Sequence, residues 1–226
     1  IAYHLIFQQL PASKASQLLT LLAEQILIQC NKLAKKVLAL QHGNIEGSSF
    51  AIIGYGSLGA STLAFNSDLD LVFLNIAEQQ QISSGVRALD SPRFFLRQAQ
   101  KLISLLGLST PSGSLYEIDI RLRPDGAKGL LVSSMESFEQ YQLQRAWIWE
   151  LQALVRARAV AGDSNLQERF ERLRKKLLCM PRDENILKIE VIAMRQRMRA
   201  ELDRSDDQLF DIKHGYGGLT DIEFFL

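Results

Sequence analysis

Apolar side chains recur at helical spacing from residue 13 to residue 41: Leu18, Leu22, Ile26, Leu33 and Val37 stand four or seven positions apart. Residues so spaced share one face of an α-helix. Lys32, Lys35 and Lys36 lie mostly off that face. Pro11 and Ser13 suit the start of this helix and Gly43 its stop. The apolar face reads as one that packs on a core rather than one that docks a partner. The period then drops to two. "SFAIIGY" (49–55) predicts a strand, followed by a glycine turn and a short helix to about Phe65. "LDLVFL" (69–74) predicts a second, buried strand, and the polar stretch 79–91 a loop. A helix runs over 92–107, between Pro92 and Gly107. Residues 114–124 alternate strictly: Leu115, Glu117, Asp119, Arg121 and Arg123 on one side, Tyr116, Ile118, Ile120 and Leu122 on the other. A short strand is expected at 129–134, after the turn "PDGAKG".

From Met135 the pattern becomes helical, over 135–161, 164–179 and 183–203, with a break at Pro181. "FDIKHGYGGLTDIEFFL" then predicts an extended piece, a glycine turn and a new helix, with Thr220 and Glu223 as a capping box. The expected organisation is a helical segment (1–48), a mixed sheet with helices (49–134) and a helical region (135–226). The fold class is α/β, of the α+β kind.

Bulk composition narrows the function. The 226 residues are 47% hydrophobic, enough for a real core, so disorder is excluded. A net charge of +1, from 26 basic and 25 acidic residues, gives no global field toward nucleic acid or membrane. Cys30 and Cys179 are far apart and fit the free thiols of a reducing cytoplasm. His4, His42 and His214 are scattered, so no zinc site is expected. No apolar run reaches the roughly 20 residues of a membrane span. The chain opens without Met and stops inside an expected helix, so a piece of a longer protein is anticipated.

The stretch "AIIGYGSLGASTLAFNSDLDLVFL" (51–74) carries the chemistry. Gly54, Gly56 and Gly59 spell the G-x-G-x-x-G of dinucleotide-binding loops. That fold wants an acidic residue at the far end of the second strand, where this chain has Asn75. Its acidic residues, Asp68 and Asp70, sit at the near end instead. Two positions apart on a strand, they face one side, and their mutual repulsion is relieved by a cation such as Mg²⁺. Asp119 on the alternating strand adds a third carboxylate, suited to metal binding or to accepting a hydroxyl proton. Gly56, Ser57 and Gly59 offer a turn where phosphates approach backbone N–H groups. Arg121 and Arg123 share the Asp119 face and offer positive charge for a triphosphate.

The order of strand, Gly-Ser turn, helix, D-x-D strand and Asp strand resembles the polymerase β-like nucleotidyltransferase superfamily. Within it, four stretches resemble the bifunctional glutamine synthetase adenylyltransferase/adenylyl-removing family. They are "GYGSLGASTLAFNSDLDLVFL", "LYEIDIRLRPDGAKGLLVSSMESFEQYQ", "AWIWELQALVRARAVAGD" and "FDIKHGYGGLTDIEF". Residues 1–48 carry no such motif. The resemblance implies that Asp68, Asp70 and Asp119 form the catalytic, Mg²⁺-binding set. It implies that Gly56, Ser57, Gly59, Ser67, Arg121 and Arg123 belong to the ATP site. It implies glutamine synthetase as protein substrate and the PII signalling protein as partner, with no nucleic acid and no membrane. "LYEIDIRLRP", "GLLVSS" and "WELQALVRARAVAGD" are similar to the adenylylating domain of that family, which places AMP on a tyrosine. Phosphorolytic removal of AMP by the same fold and a silent docking module are the alternatives.

The chain departs from the family pattern at Ser57, usually Lys, at Ala60, usually Gly, at Thr62, usually Glu, and at Leu151, usually His. Trp147, Glu150, Leu154 and Arg158 are expected on one helix. Either Glu150 and Arg156 border the substrate channel there, or the helix packs on the sheet with a local ion pair.

Overall fold

The structure is a computed structural model that describes every residue except Gln79, Thr110, Ser112 and Leu226, and the backbone alone of Phe225. The first position of the expected polar loop, Gln79, and the last of the expected closing helix, Leu226, lie outside the described residues. In chain order the elements are α1 (Ala2–Ile6), α2 (Ala12–His42), β1 (Ser49–Gly54), α3 (Gly56–Gly59), β2 (Leu69–Ile76), α4 (Ser91–Leu106), β3 (Ile118–Asp119), β4 (Val132–Ser134), α5 (Met135–Gln144), α6 (Ile148–Val155), β5 (Arg158–Gly162), α7 (Ser164–Leu178), α8 (Glu184–Leu202) and α9 (Leu219–Phe225).

The strands form one mixed sheet in the order β3-β2-β1-β5. β1 runs antiparallel to both β2 and β5. β3 runs parallel to the start of β2, pairing Leu69 with Ile118 and Asp70 with Asp119, and β4 runs parallel to its end. Alternation sorts the strand residues onto two faces. Phe50, Ile52, Leu71 and Phe73 meet α2 and α4 through Ala23, Leu27, Ala34, Leu38, Phe94, Phe95 and Leu102. Ala51, Ile53, Val72 and Leu74 meet α5, α6 and α7 through Phe138, Leu154, Phe170 and Leu173. Asp70 lies in step with Val72 and Leu74, so it points to the second face.

Several expectations change in detail. The buried face of α2 is Ala15, Ala23, Leu27, Ala34 and Leu38, one position round from the expected stripe, and Leu22, Leu33 and Val37 are largely exposed. The short helix after the glycine turn spans Gly56–Gly59 and stops before the expected end near Phe65. The alternating segment 114–124 pairs only at Ile118 and Asp119, because the chain then turns through the clamp described below. The expected helix 135–161 is broken twice. Its last part is instead β5, whose Val160 and Ala161 are core residues beside β1. The sheet therefore draws on residues from both sides of position 134. Gly162 allows this strand to end there: its φ is +112°, and a Cβ would stand 2.2 Å from the Phe50 carbonyl oxygen. The next residue, Asp163, accepts a hydrogen bond from the Phe50 N–H at 3.3 Å.

Among the described residues no helix is long and apolar enough to cross a membrane. Cys30 and Cys179 are free thiols.

Candidate active site

The glycine turn follows β1 and the acidic pair opens β2, so antiparallel pairing brings them together. The Tyr55 N–H donates to the Asp70 carbonyl at 2.9 Å, fixing the turn against the acidic strand. Gly56 is left-handed, with φ +54°, and a Cβ there would stand 2.3 Å from Asp70 Oδ2. The position requires glycine twice over: for its backbone and to make room for the carboxylate. At Gly59 a Cβ would stand 1.9 Å from the Arg156 carbonyl oxygen, so α3 packs backbone to backbone on the residue that leads into β5. The Ser57 hydroxyl is bonded to no described residue. The Ser67 hydroxyl accepts from the Ala64 N–H at 3.0 Å and closes the loop between turn and strand.

Asp70 and Asp119 are register partners on adjacent parallel strands, so their side chains project from the same face. Asp68, at the mouth of β2, is exposed. The Asp70 carboxyl is pushed above the usual carboxylate range, first by partial loss of solvent, then by the charges of Asp119 and Asp68. Lys213 and Arg121 pull it back in part. Asp119 behaves oppositely. It accepts from Arg121 through Nε at 2.8 Å, Nη2 at 2.5 Å and the backbone N–H at 2.8 Å. This fork holds its carboxyl below the usual range, despite partial burial. Among the described residues no three His, Cys, Asp or Glu side chains are already gathered around a point where an ion would sit. Asp119 is turned onto Arg121.

The arginines differ in what they are free to do. Arg121 is 80% exposed, and among the described residues Asp119 is its one side-chain partner, so its guanidinium is able to swing. Arg123 is buried and donates to three carbonyls, of Ile120 at 2.6 Å, Ala127 at 3.0 Å and Gly129 at 3.2 Å. It is the clamp that folds the 120–129 loop, and it does not share the Asp119 side. Alternation alone missed this because the strand ends at Asp119.

Glu150 is buried and accepts from the Tyr141 hydroxyl at 2.8 Å and the Trp147 N–H at 2.8 Å. It caps α6 from within and forms no local pair with Arg156. Trp147 is 63% exposed. Arg156 instead bonds Glu223 of α9 and reaches the Thr62 hydroxyl at 3.4 Å. Glu223 is thus no capping partner for Thr220, whose hydroxyl donates to the Lys213 carbonyl at 2.8 Å. Arg158, on β5, bonds Glu24 of α2 and the carbonyls of Leu58 and Gly59. These two arginines buttress the turn from behind, a role that sequence spacing did not reveal. A cavity of about 580 Å³ lies elsewhere, between α2, α4 and the Ser48 end of β1, away from the aspartates.

The arrangement suits phosphoryl or nucleotidyl transfer: hard oxygen donors, a proton acceptor, mobile positive charge and a turn shaped around one carboxylate. Comparison with known proteins agrees. The profile of the glutamate-ammonia ligase adenylyltransferase family matches residues 1–173. Three proteins, each named a bifunctional glutamine synthetase adenylyltransferase/adenylyl-removing enzyme, are similar over nearly the whole chain. The one from Xanthomonas campestris pv. campestris is 53% identical over 94% of this chain and 23% of its own length. The one from Pasteurella multocida is 47% identical over 97% and 23%. The one from Acinetobacter baylyi is 42% identical over 97% and 25%. The chain thus spans about a quarter of the length of these curated relatives. With the profile covering most of the sequence, the chain belongs to the glutamate-ammonia ligase adenylyltransferase family.

Proposed function

We propose that the chain is the catalytic domain of a Mg²⁺-dependent adenylyltransferase that moves AMP from ATP to a tyrosine of glutamine synthetase. The observation that carries this reading is the pairing of Asp70 with Asp119 on adjacent strands, beside a Gly56 turn with no room for a side chain. The site fits magnesium on its own chemistry: all donors are carboxylate oxygens, and the Asp70 carboxyl is pushed above the usual range by partial burial and then by neighbouring negative charge, which a cation would offset. Asp68, Asp70 and Asp119 would hold the ion, which when bound offsets the charge of the phosphates.

The residues then divide the work. A tyrosine hydroxyl attacks the α-phosphorus of ATP; the new O–P bond forms as the bond to the bridging oxygen breaks, and pyrophosphate leaves. A tyrosine, with an ordinary pKa near 10, needs help to lose its proton at neutral pH. Asp119 accepts that proton. It is a poor base while Arg121 grips it, and a better one once the guanidinium turns to the phosphates. Gly56 and Gly59 bring the turn close to the carboxylates, and Ser57 offers its hydroxyl to the phosphate chain. The names of the relatives, which join adenylyltransferase and adenylyl-removing activities to glutamine synthetase, support the substrate.

The test incubates the protein carrying this chain with ATP, Mg²⁺ and unmodified glutamine synthetase, and weighs the synthetase by mass spectrometry. A gain of one AMP per subunit is expected, and loss of that gain in Asp68→Ala. An unchanged mass, with ADP formed when AMP-modified synthetase and phosphate are supplied instead, would replace this direction by removal.

A further inference from the structure

The cavity of about 580 Å³ opens on the face of the sheet that α2 and α4 cover, opposite the face to which Asp70 points. Its floor is apolar and buried: Phe50 of β1, Phe94 and Phe95 of α4, and Val160 of β5. Phe50 and Phe95 stack there, with ring centroids 5.9 Å apart and planes 2° from parallel.

Its wall is polar and largely uncommitted. Gln98 is 2% exposed, and its Nε2 donates to Asn31 Oδ1 at 2.9 Å. Among the described residues neither side chain makes another hydrogen bond, so the Gln98 carbonyl oxygen is left without a partner. Buried amide oxygens are ordinarily satisfied, and this residue lines the cavity. Lys32 and Lys35 line it too, one turn apart on α2, and neither ammonium has a partner among the described residues. Like charges at that spacing disfavour a helix, and no acidic residue stands three or four positions from either lysine. Asp163 adds one carboxylate, which receives the Phe50 N–H through Oδ2 at 3.3 Å. The lysines outnumber it, so the cavity keeps a surplus of positive charge.

These groups select a ligand by what they lack. Two ammonium groups one turn apart suit a dianion, and a phosphate monoester carries nearly two negative charges at neutral pH on three acceptor oxygens. The Gln98 carbonyl and the second Asp163 oxygen only accept, so they call for hydroxyl or amino hydrogens. A compact ring over the phenylalanines would cover the floor, as small-molecule sites with an apolar lining and a few placed polar groups require. We propose that this cavity binds a small phosphate monoester with a hydroxyl-bearing body, its phosphate on Lys32 and Lys35 and a hydrogen donor on the Gln98 carbonyl. Sugar phosphates and nucleoside monophosphates share this chemistry. The proposal is independent of the nucleotidyltransferase reading, because no lining residue belongs to the glycine turn or the acidic strand.

The test is calorimetric titration of the protein carrying this chain with ribose 5-phosphate, AMP and ribose. EDTA is present, so that no cation bridges a phosphate to the aspartates. At least one of the two phosphates should bind at a single site, with ribose about thirtyfold weaker or more, and their relative affinity tells a sugar from a nucleoside body. Replacing both lysines, Lys32→Gln with Lys35→Gln, should weaken the bound phosphate about tenfold or more. Gln98→Met keeps the bulk, removes the acceptor and should weaken it about threefold to tenfold, with urea unfolding confirming that the variant is folded. Lys36→Gln, on the same helix and exposed but outside the cavity, should change nothing. No saturable binding of either phosphate at about 10 mM, binding unchanged in the double-lysine variant, or an equal loss in Lys36→Gln would overturn the site.

Discussion

Replacing Gly56 by alanine separates backbone strain from crowding at the acidic site. The residue sits at φ +54°, and an added Cβ would stand 2.3 Å from Asp70 Oδ2. Holding an L-residue in the left-handed region costs about 1–2 kcal/mol. The Asp70 carboxylate must also rotate out of the way, at about 0.5–1.5 kcal/mol for leaving its preferred rotamer. Gly56→Ala should therefore destabilise the fold by roughly 1.5–3.5 kcal/mol. Gly47→Ala is the control, because Gly47 has φ +67° with nothing within 4 Å of the added Cβ, so only the first cost applies. Urea unfolding of both variants measures the difference. In an Asp70→Ala background the nearest remaining atom of residue 70 is its Cβ, at 3.9 Å, so the second cost should vanish. The double-mutant cycle should then give a coupling of about 0.5–1.5 kcal/mol between positions 56 and 70. Catalysis should suffer far more than stability, by about a hundredfold or more, because in the proposed mechanism the displaced carboxylate holds the reacting groups. Equal destabilisation at Gly47 and Gly56, or an unchanged cost of Gly56→Ala when Asp70 is absent, would refute the reasoning.

Other outcomes follow from the same site and its frame. The folded Asp70 carboxyl titrates above its unfolded value, so stability falls as pH rises from the ordinary carboxylate range through that raised value. Asp70→Asn should thus melt higher than wild type at neutral pH without metal, while losing transfer activity; a lower melting point would count against the crowded-charge picture. Asp119 is shifted the other way by Arg121, so its contribution to stability is present above the unfolded value and lost as pH falls through the lowered one. Arg121→Met should move the acid limb of the pH profile of kcat/KM to higher pH; an unmoved limb would remove Asp119 as the base. Tyr141 is pushed up to about 12 by partial burial and its bond to Glu150, so Tyr141→Phe should cost about 1–3 kcal/mol in urea unfolding. Its ultraviolet titration should lose a component near pH 12.

The placing of the candidate site residues was easier to read from the sequence than the frame around them. Gly56, Asp68 and Asp70 were legible because glycine and paired acidic residues at the two ends of adjoining strands have few ordinary uses. Asp119 was legible from alternation, although only two residues of that segment pair in the sheet. β5 was not, since "ARAVAG" is rich in good helix formers and only the open edge of β1 makes it a strand. The α2 face was misread by one position because hydrophobicity ranks leucine above alanine, whereas the buried face mixes Leu27 and Leu38 with Ala15, Ala23 and Ala34. Arg123 looked like a phosphate ligand by type and by parity, but its carbonyl partners arise from a turn that periodicity does not encode. The contacts of Arg156 and Arg158 join segments from 94 to 100 positions apart to the turn, beyond the reach of any local pattern.

The most direct test supplies the protein carrying this chain with Mg²⁺, unmodified glutamine synthetase and ATP radiolabelled at either the α- or the γ-phosphate. Attack at the α-phosphorus predicts that α-label appears on the synthetase and γ-label is released as pyrophosphate, with both signals lost in Asp119→Asn. Transfer of γ-label to the synthetase, or α-label transfer undiminished in Asp119→Asn, would contradict a nucleotidyl transfer run by this cluster of aspartates.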